Sequence, residues 1–180
     1  MPDFSRKQLY RLDEAALLET VERYRAPLLY FITGYMGNVT DAEDVVSETL
    51  VRLLTKKPLL KSEQALKTYL YKTAKHLAID RLRKVKREKA FLEQSLAKRD
   101  IAYIDEAMAK TEEKLALAAA LRLLPADYRQ VLYFYYFEDL SILEICKILG
   151  KNKKQIYNLL ARAKTALSTI LNKEDAEDEI

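Results

Sequence analysis

Glycine and proline are so scarce in this chain that long helices are almost the only regular structure open to it. Three glycines and four prolines are spread over 180 residues, and the segments between them carry apolar side chains at intervals of three and four. This spacing places those side chains on one face of an α-helix. The one run that would suit a strand, residues 131–137, is isolated among helix-forming segments. We therefore predict an all-α protein.

Charge is distributed unevenly along the chain. The net charge is only +4, yet residues 56–90 contain 12 basic and 3 acidic residues, and residues 127–172 contain 7 and 4. Residues 1–55 have the opposite balance, with 6 basic and 9 acidic residues. Basic islands in an otherwise acidic chain are typical of surfaces that meet a polyanion such as nucleic acid.

The composition also argues against several classes of protein. One cysteine and one histidine, Cys146 and His76, cannot build an internal disulfide or a His/Cys metal site, so we predict no metal and no cofactor. No activated nucleophile or paired carboxylates stand out, so we predict no catalytic residue and no enzyme activity. The N-terminus lacks the apolar core of a signal peptide, and no segment has the ~18 apolar residues of a membrane span. We expect a cytoplasmic protein without a membrane partner.

Three helices are predicted in the first part of the chain, over residues 13–34, over residues 41–54 and from Ser62 onward. Pro27 is expected to kink the first helix. Thr40 and Glu43 have the spacing of a capping box, and Ser62 is the predicted N-cap of the third helix. Ten side chains of the first two helices are expected to face inward: Leu17, Leu18, Val21, Leu28, Phe31, Ile32, Val46, Leu50, Leu53 and Leu54.

The second part of the chain is predicted to hold four helices. They cover residues 115–124, 128–137, 141–149 and 153–172, and the acidic residues 173–180 that follow are expected to be disordered. Between the two parts, from residue 89 to about 114, the apolar pattern thins, which is typical of a linker.

A helix-turn-helix is predicted within this second part. Ser141 and Glu144 have capping-box spacing at its start. Cys146, Gly150 and Ile156 then supply the small residue, turn glycine and branched apolar residue that two closely crossing helices require. For Cys146 this packing role is favoured over a role as a nucleophile.

The second helix of this motif is predicted to turn polar groups outward. Asn and Gln side chains can bond bidentately to adenine, Arg can bond to guanine, and Lys can bind phosphate. The alternative is an ordinary helical hairpin with a solvated polar face, but the turn glycine, the capping box and the KNKK cluster favour DNA. The outward or flanking residues are Lys154, Gln155, Tyr157, Asn158, Ala161, Arg162 and Thr165.

In the basic island of residues 56–90, tyrosines interleave with cations on one predicted helix. Cations can track a phosphate backbone, and tyrosine rings can stack on unpaired bases. The alternative is a solvated basic face over an apolar core, and we expect Tyr69 to be buried and, from spacing alone, His76 to be partly buried. The basic residues that solvation explains least are Lys72, Lys75, Arg81, Arg83, Lys84, Lys86 and Arg87.

The preceding helix has an acidic outer face. Asp44 and Glu48 stand one turn apart and would repel DNA, so this face is expected to meet a basic protein partner or only solvent.

Three blocks of this sequence together resemble the bacterial RNA polymerase sigma factors of the extracytoplasmic-function (ECF) type. The blocks are DAEDVVSETLVRLL, LKTYLYKTAKHLAIDRLRK and the segment from LPADYRQ to ARAKTAL, in the family's order and spacing. The resemblance implies a sigma-two domain over residues 10–88, a linker over 89–114, a sigma-four helix-turn-helix domain over 115–172 and an acidic tail over 173–180. It also implies binding to core RNA polymerase, promoter recognition, promoter melting and transcription initiation.

The resemblance assigns site residues and partners as well. It implies docking of the acidic helix on the β′ coiled coil, binding of the sigma-four domain to the β-flap, contact with promoter DNA, and often an anti-sigma protein. The implied polymerase-binding residues are Asp44, Glu48 and Arg52. The implied minus-ten residues are Lys61, Ser62, Lys72, Lys75, His76 and Arg83. The implied minus-thirty-five residues are Lys153, Lys154, Gln155, Tyr157, Asn158 and Arg162.

The chain departs from the family's pattern at three positions of the first part of the chain. Leu54 stands where an aromatic residue, usually Trp, is found, Tyr69 stands where Trp is usual, and His76 stands where Asn is usual. Tyr157 and Leu159 stand where basic residues are common. We therefore expect an unusual minus-thirty-five preference, with phosphate contacts supplied by Lys151, Lys153 and Lys154. The competing hypothesis is a stand-alone helix-turn-helix transcriptional regulator, which would bind duplex DNA without polymerase and would leave the acidic helix without a role.

Overall fold

The computed structural model describes residues 13–89 and 112–177. Seven α-helices make up nearly all of their regular structure, and none of these residues lies in a strand, which confirms the all-α prediction for them. They form two compact units, one on each side of the gap in the description. Most of the predicted linker, the start of the predicted sigma-two domain and the last three residues lie outside the described residues.

The first unit contains α1 (Glu14–Met36), α2 (Val39–Lys56) and α3 (Glu63–Lys89), each packed against the other two. Asp13 caps α1 by accepting a hydrogen bond of 2.8 Å from the amide of Ala16. The helix passes through Pro27 and ends at Gly37, whose φ of 75° suits glycine. The helix thus extends two residues past the predicted end at residue 34, because the left-handed residue that ends it is Gly37.

The N-cap predicted for α2 is wrong. Asn38, not Thr40, caps the helix, accepting a 2.7 Å hydrogen bond from the amide of Asp41. The Asn38 amide also donates to the Asp41 carboxylate at 2.7 Å, so the helix starts at Val39, two residues earlier than predicted, and Thr40 lies inside it. Both residues are good N-caps in isolation.

The N-cap predicted for α3 is confirmed, since Ser62 accepts a 3.1 Å hydrogen bond from the amide of Ala65.

The core of the first unit is apolar and aromatic. Phe31 of α1 packs edge to face on Tyr71 of α3, with ring centroids 5.3 Å apart, and both rings are buried. Two residues predicted to face inward do not: Leu18 is 59% exposed and Leu54 is 36% exposed. In α1 the buried stripe follows Leu17, Tyr24, Leu28 and Phe31 instead, which leaves Leu18 one helical step off it.

The second unit contains α4 (Glu112–Leu123), α5 (Ala126–Leu132), α6 (Ile142–Leu149) and α7 (Lys153–Glu177). A π-helical turn, Tyr133–Phe137, extends α5 where a plain α-helix was predicted. It closes with a 3.2 Å hydrogen bond from the Glu138 amide to the Tyr133 carbonyl. Below it, the buried Tyr133 hydroxyl donates to the Glu138 carboxylate at 2.7 Å. The extra residue of the turn lets Tyr133 face inward while residues 135–137 remain exposed.

The helix-turn-helix of the second unit is built from α6 and α7. The predicted Ser141–Glu144 capping box is present, and Gly150 ends α6 with a φ of 68°. A Cβ at Gly150 would meet no neighbour, so the backbone conformation is what requires glycine. Ile156 is fully buried and Cys146 is half-buried, as their packing roles require.

The end of α7 differs from the prediction. The helix continues to Glu177 instead of ending near Asn172, so residues 173–177 are helical where disorder was expected from their charge. The charge criterion failed because these residues include good helix formers and follow a helix that is already nucleated, so each adds a backbone hydrogen bond without a new nucleation cost.

Candidate nucleic-acid interface and docking face

The recognition face of α7 is formed by its six predicted minus-thirty-five residues. All of them are exposed: Lys153, Lys154, Gln155, Tyr157, Asn158 and Arg162. Ile156, Leu160 and Ala163 turn to the opposite side and are buried, which fixes the rotation of the helix about its axis. The residues with side chains suited to bases and phosphates are thereby brought to one solvent-facing surface.

Within the recognition face, Gln155 is engaged in capping. Its Oε1 accepts a 2.8 Å hydrogen bond from the Asn152 amide, and the Asn152 side chain accepts a 2.9 Å bond from the Gln155 amide. This reciprocal pair is a second capping box. A bidentate contact to adenine needs both the oxygen and the nitrogen of the Gln155 amide, so only its NH₂ group is free for a base. The N-x-x-Q spacing in the sequence is the signal for this cap, whereas Gln155 was predicted only to contact DNA and Asn152 was noted only as part of the KNKK cluster.

Asn158 and Arg162 are the two base-reading side chains that remain available. They lie one turn apart on α7 and make no side-chain hydrogen bond or ion pair with any residue that the structure describes. Lys151, expected to contact phosphate, instead lies 3.5 Å from the Asp127 carboxylate. A phosphate contact from Lys151 would therefore compete with an existing ion pair.

An aromatic cluster lies next to α7, and the sequence did not indicate it as a functional feature. The Lys164 ammonium lies 5.4 Å from the ring centroid of Tyr136 and 5.8 Å from that of Tyr135. A hydrogen bond to Tyr136, with the charge interaction between the two groups, raises the pKa of Lys164 above its ordinary value. The signal was the aromatic run of residues 133–137, which was described only as a run that would suit a strand and was assigned to a helix.

The basic face of α3 is a stripe of three cations and one histidine. Lys72, His76, Arg83 and Arg87 recur at intervals of four, seven and four, so they share one side of the helix, and all four are exposed. The exposure of His76 corrects the expectation from spacing that it would be partly buried. It faces solvent because the inward positions of this part of α3 are held by Ala74, Leu77 and Ala78.

The other predicted minus-ten residues differ in their availability. Lys61 is exposed, Lys75 is half-buried, and the hydroxyl of Ser62 already accepts a hydrogen bond as the N-cap of α3. Tyr69, expected to be buried, is half-buried, because Tyr71 fills the core position instead. Part of Tyr69 is thus accessible one turn before Lys72.

The acidic face of α2 is formed by Asp44, Glu48 and Arg52, spaced four residues apart. Both carboxylates are already paired: Glu48 with Arg52 at 2.7 Å on the same helix, and Asp44 with Arg81 of α3 at 2.8 Å. Val51 and Leu54 are exposed on the same outer side of α2. The face is therefore a mixed surface of paired charges and apolar side chains, not the purely acidic surface that the sequence suggested.

No helix among the described residues is long and apolar enough to cross a membrane. Nor do these residues bring three or more His, Cys, Asp or Glu side chains together at a place where a metal ion could bind.

Two family models match the chain, one in each unit. Residues 20–88 match Sigma-70 region 2, and residues 114–167 match Sigma-70, region 4. Together the two matches include the acidic face, the basic face and the recognition face.

Relatives of similar length support the same assignment. RNA polymerase sigma factor SigV of Bacillus subtilis is 26% identical over 90% of this chain and 95% of its own length. The ECF RNA polymerase sigma factor SigW of the same organism is 26% identical over 89% and 91%. The sigma factor RpoE of Bartonella quintana, solved in complex with the anti-sigma factor NepR, has a similar fold, with a TM-score of 0.59, 21% identity, and coverage of 86% of this chain and 96% of that one.

A stand-alone helix-turn-helix regulator would need only the second unit and would leave the region 2 match unexplained. The two matches occur in one chain, and full-length relatives are named as ECF sigma factors. The chain therefore belongs to the sigma-70 family, and it is an RNA polymerase sigma factor of the ECF type.

Proposed function

We propose that the three surfaces divide the work of transcription initiation between them. The recognition face of α7 reads the minus-thirty-five element as duplex, the basic face of α3 holds the melted minus-ten strand, and the acidic face of α2 docks on core RNA polymerase. The observation that carries this proposal is that each surface is exposed and rests on a buried apolar stripe of its own helix. The chain is expected to act in the cytoplasm, where polymerase and promoter DNA lie.

Asn158 and Arg162 carry most of the duplex readout in this proposal. Both are free of described side-chain partners, and their chemistry suits adenine and guanine in the major groove. Lys153 and Lys154 lie in the first turn of α7, where exposed backbone amides and cations together suit a phosphate. Gln155 and Tyr157 contribute less to base recognition, since the oxygen of Gln155 is held by Asn152 and a tyrosine has only one polar atom.

Strand capture is assigned to the stripe on α3 with the help of Lys61, Lys75 and Tyr69. Cations spaced along one side of a helix can follow a phosphate backbone, and the half-buried Tyr69 offers an unpaired base an aromatic side chain to contact. The free energy of these contacts offsets the few kcal/mol needed to unstack and flip a base. The protein thus needs no catalytic group of its own, because it acts by binding the melted state more tightly than the duplex.

Docking to core polymerase is assigned to Asp44, Glu48 and Arg52, with the β′ coiled coil as the partner. The helix-turn-helix unit is assigned to the β-flap. An anti-sigma protein that masks these surfaces is a further proposed partner, supported by the solved complex of a sigma factor of similar fold with its anti-sigma factor.

A comparison of duplex and pre-melted promoters tests this division. The double variant Lys72→Ala, Arg83→Ala should lose most initiation on duplex templates and recover part of it on a template whose minus-ten region is already an unpaired bubble, because the bubble removes the cost of unpairing but does not restore the lost contacts to the strand. The matched control, Arg25→Ala on the exposed surface of α1, should initiate normally on both. Equal loss on duplex and bubble templates would contradict a role in melting, because a general binding defect lowers both.

A further inference from the structure

The first residue of α3 is tied to α1 through one carboxylate oxygen. The Glu63 Oε1 atom accepts a 3.0 Å hydrogen bond from the Tyr24 hydroxyl and lies 2.8 Å from the Arg23 Nη2 atom. The Arg23 guanidinium also lies 5.5 Å from the ring centroid of Tyr24. Tyr24 is buried, and the Glu63 side chain is 25% exposed. These three residues, which we call the Glu63 clamp, fix the start of α3 against a helix 39 positions earlier in the sequence.

The Glu63 clamp lies directly after the connection between α2 and α3. At the start of this connection, Lys57 has a φ of 40° and its amide donates to the Leu53 carbonyl at 3.0 Å. In its middle, Leu60 is buried, and at its end Ser62 caps α3. The connection is therefore anchored at both ends and between them. The exposed Lys61 lies between the last two anchors.

We propose that the Glu63 clamp positions Lys61 for the phosphate backbone of the melted minus-ten strand. Lys61 is two residues before Glu63, so the course of its backbone depends on where α3 begins. The side chain of lysine is a flexible four-carbon chain, and a fixed backbone reduces the entropy that is lost when its ammonium binds a phosphate. Glu63 is thus a positioning residue that acts through Lys61, and the inference rests on the proposed capture of the strand by α3.

A purely local role of Glu63 in helix stability is separable from this positioning role. Glu63 is the acidic residue of the first turn of α3, where a carboxylate also interacts favourably with the helix dipole. Tyr24→Phe removes the hydroxyl that donates to Glu63 but keeps the carboxylate at the helix N-terminus and the ring in the core. Glu63→Ala removes a negative charge, which by itself favours DNA binding, so a loss of affinity in that variant is not an effect of net charge.

A double-mutant cycle on binding of the full chain to a fluorescent single-stranded oligonucleotide tests the positioning role. In the wild-type background, Lys61→Ala should weaken binding about fivefold at ~0.1 M salt and lower the salt slope by about 0.7, as the loss of one phosphate contact does on a single strand. In the Glu63→Ala background, the same change should cost less than about twofold, because the contact is already lost.

Lys72→Ala is the matched control of this cycle. Lys72 lies nine residues after Glu63 on α3, about 13 Å away at the rise of an α-helix, so the two sites should be independent. Its effect on binding should be the same in both backgrounds. A general loosening of the first unit would instead reduce the effects of both lysines.

The outcomes separate the positioning role from the proposed function. Tyr24→Phe, which changes no charge, should also reduce the effect of Lys61→Ala. An unchanged effect of Lys61→Ala in both backgrounds, or an equal reduction of the Lys72→Ala effect, would overturn the positioning role. If Lys61→Ala has no effect in the wild-type chain while Lys72→Ala weakens binding, the positioning role is overturned and strand capture by α3 survives. If neither lysine contributes, the proposed strand capture fails as well.

Discussion

Gln155 and Asn152 cap the first turn of α7 reciprocally, each side chain accepting a hydrogen bond from the other's backbone amide at 2.8 and 2.9 Å. The turn that leads into the recognition helix is thereby fixed by residues that themselves lie at the proposed DNA surface. Capping and base reading compete for the same amide, and capping holds the oxygen of Gln155. Gln155 therefore affects both the stability of the recognition helix and its specificity for bases.

Loss of this cap should destabilise the start of the recognition helix. Asn152→Ala removes the oxygen that accepts from the Gln155 amide, and the free energy of unfolding should fall by roughly 0.5–2 kcal/mol. Asn152→Asp is the matched control, since aspartate caps equally well. Urea unfolding of the full chain, followed by circular dichroism, measures both; an alanine variant as stable as the aspartate variant would show that the cap is dispensable.

Arg162 should determine the base at one position of the minus-thirty-five element. Arg162→Ala removes a side chain that can bond bidentately to guanine, so promoter binding should weaken by roughly 1–3 kcal/mol and the preference at that position should relax. Ser168→Ala, an exposed change later on α7, should alter neither. Promoter selection from a randomised minus-thirty-five library measures this, and an unchanged preference in the Arg162 variant would remove this residue from the readout.

The raised pKa of Lys164 has a defined direction and cause. Because the ammonium is held by Tyr136, Tyr136→Phe should bring the pKa of Lys164 back toward its ordinary value. A pKa raised in the folded state stabilises the protein below the unfolded value, and this contribution is lost only as pH rises through the folded pKa, above 10.5. The contribution of this group to stability should therefore be fully present and constant with pH near neutrality.

A nuclear magnetic resonance titration of the Lys164 side chain measures this pKa directly. Tyr128→Phe serves as the control, because Tyr128 makes no described side-chain contact with Lys164. A pKa that stays raised in the Tyr136 variant would assign the shift to another group.

Reversal of charge on the acidic face should abolish docking. Asp44→Lys combined with Glu48→Lys places cations opposite a basic partner and should eliminate association with core polymerase. The fold should survive because both side chains are exposed. Co-purification with core measures association and circular dichroism checks the fold; normal recovery of core by the folded variant would contradict the assignment of this face.

The sequence predicted helices and caps well where a single signal acted alone. Ser62 and Ser141 cap as expected because no neighbouring residue competes with them. At the start of α2, Asn38 and Thr40 both suit an N-cap, and the choice depends on the 2.7 Å contact between Asn38 and Asp41. Leu54 was expected to be buried beside Leu53, but Leu53 is fully buried and Leu54 lies on the outer side of α2.

The interactions between side chains of different helices could not be predicted from the sequence. Arg81 was grouped with the cations of α3, and nothing in local spacing indicates that a carboxylate 37 positions away would hold it. The same is true of Lys164, whose tyrosine partners are brought to it by the π-helical turn, an irregularity that periodicity does not predict. The faces of the helices were predictable, but the pairing of charges across them was not.

The central claim is that this chain gives core RNA polymerase the ability to initiate at specific sequences. In vitro transcription from a library of random promoters, with and without the protein, tests it most directly. We predict transcripts that require both core and this chain and that start downstream of two shared sequence elements, one melted and one read as duplex. Transcription that is independent of the protein, or that shows no shared element when it is present, would contradict the account.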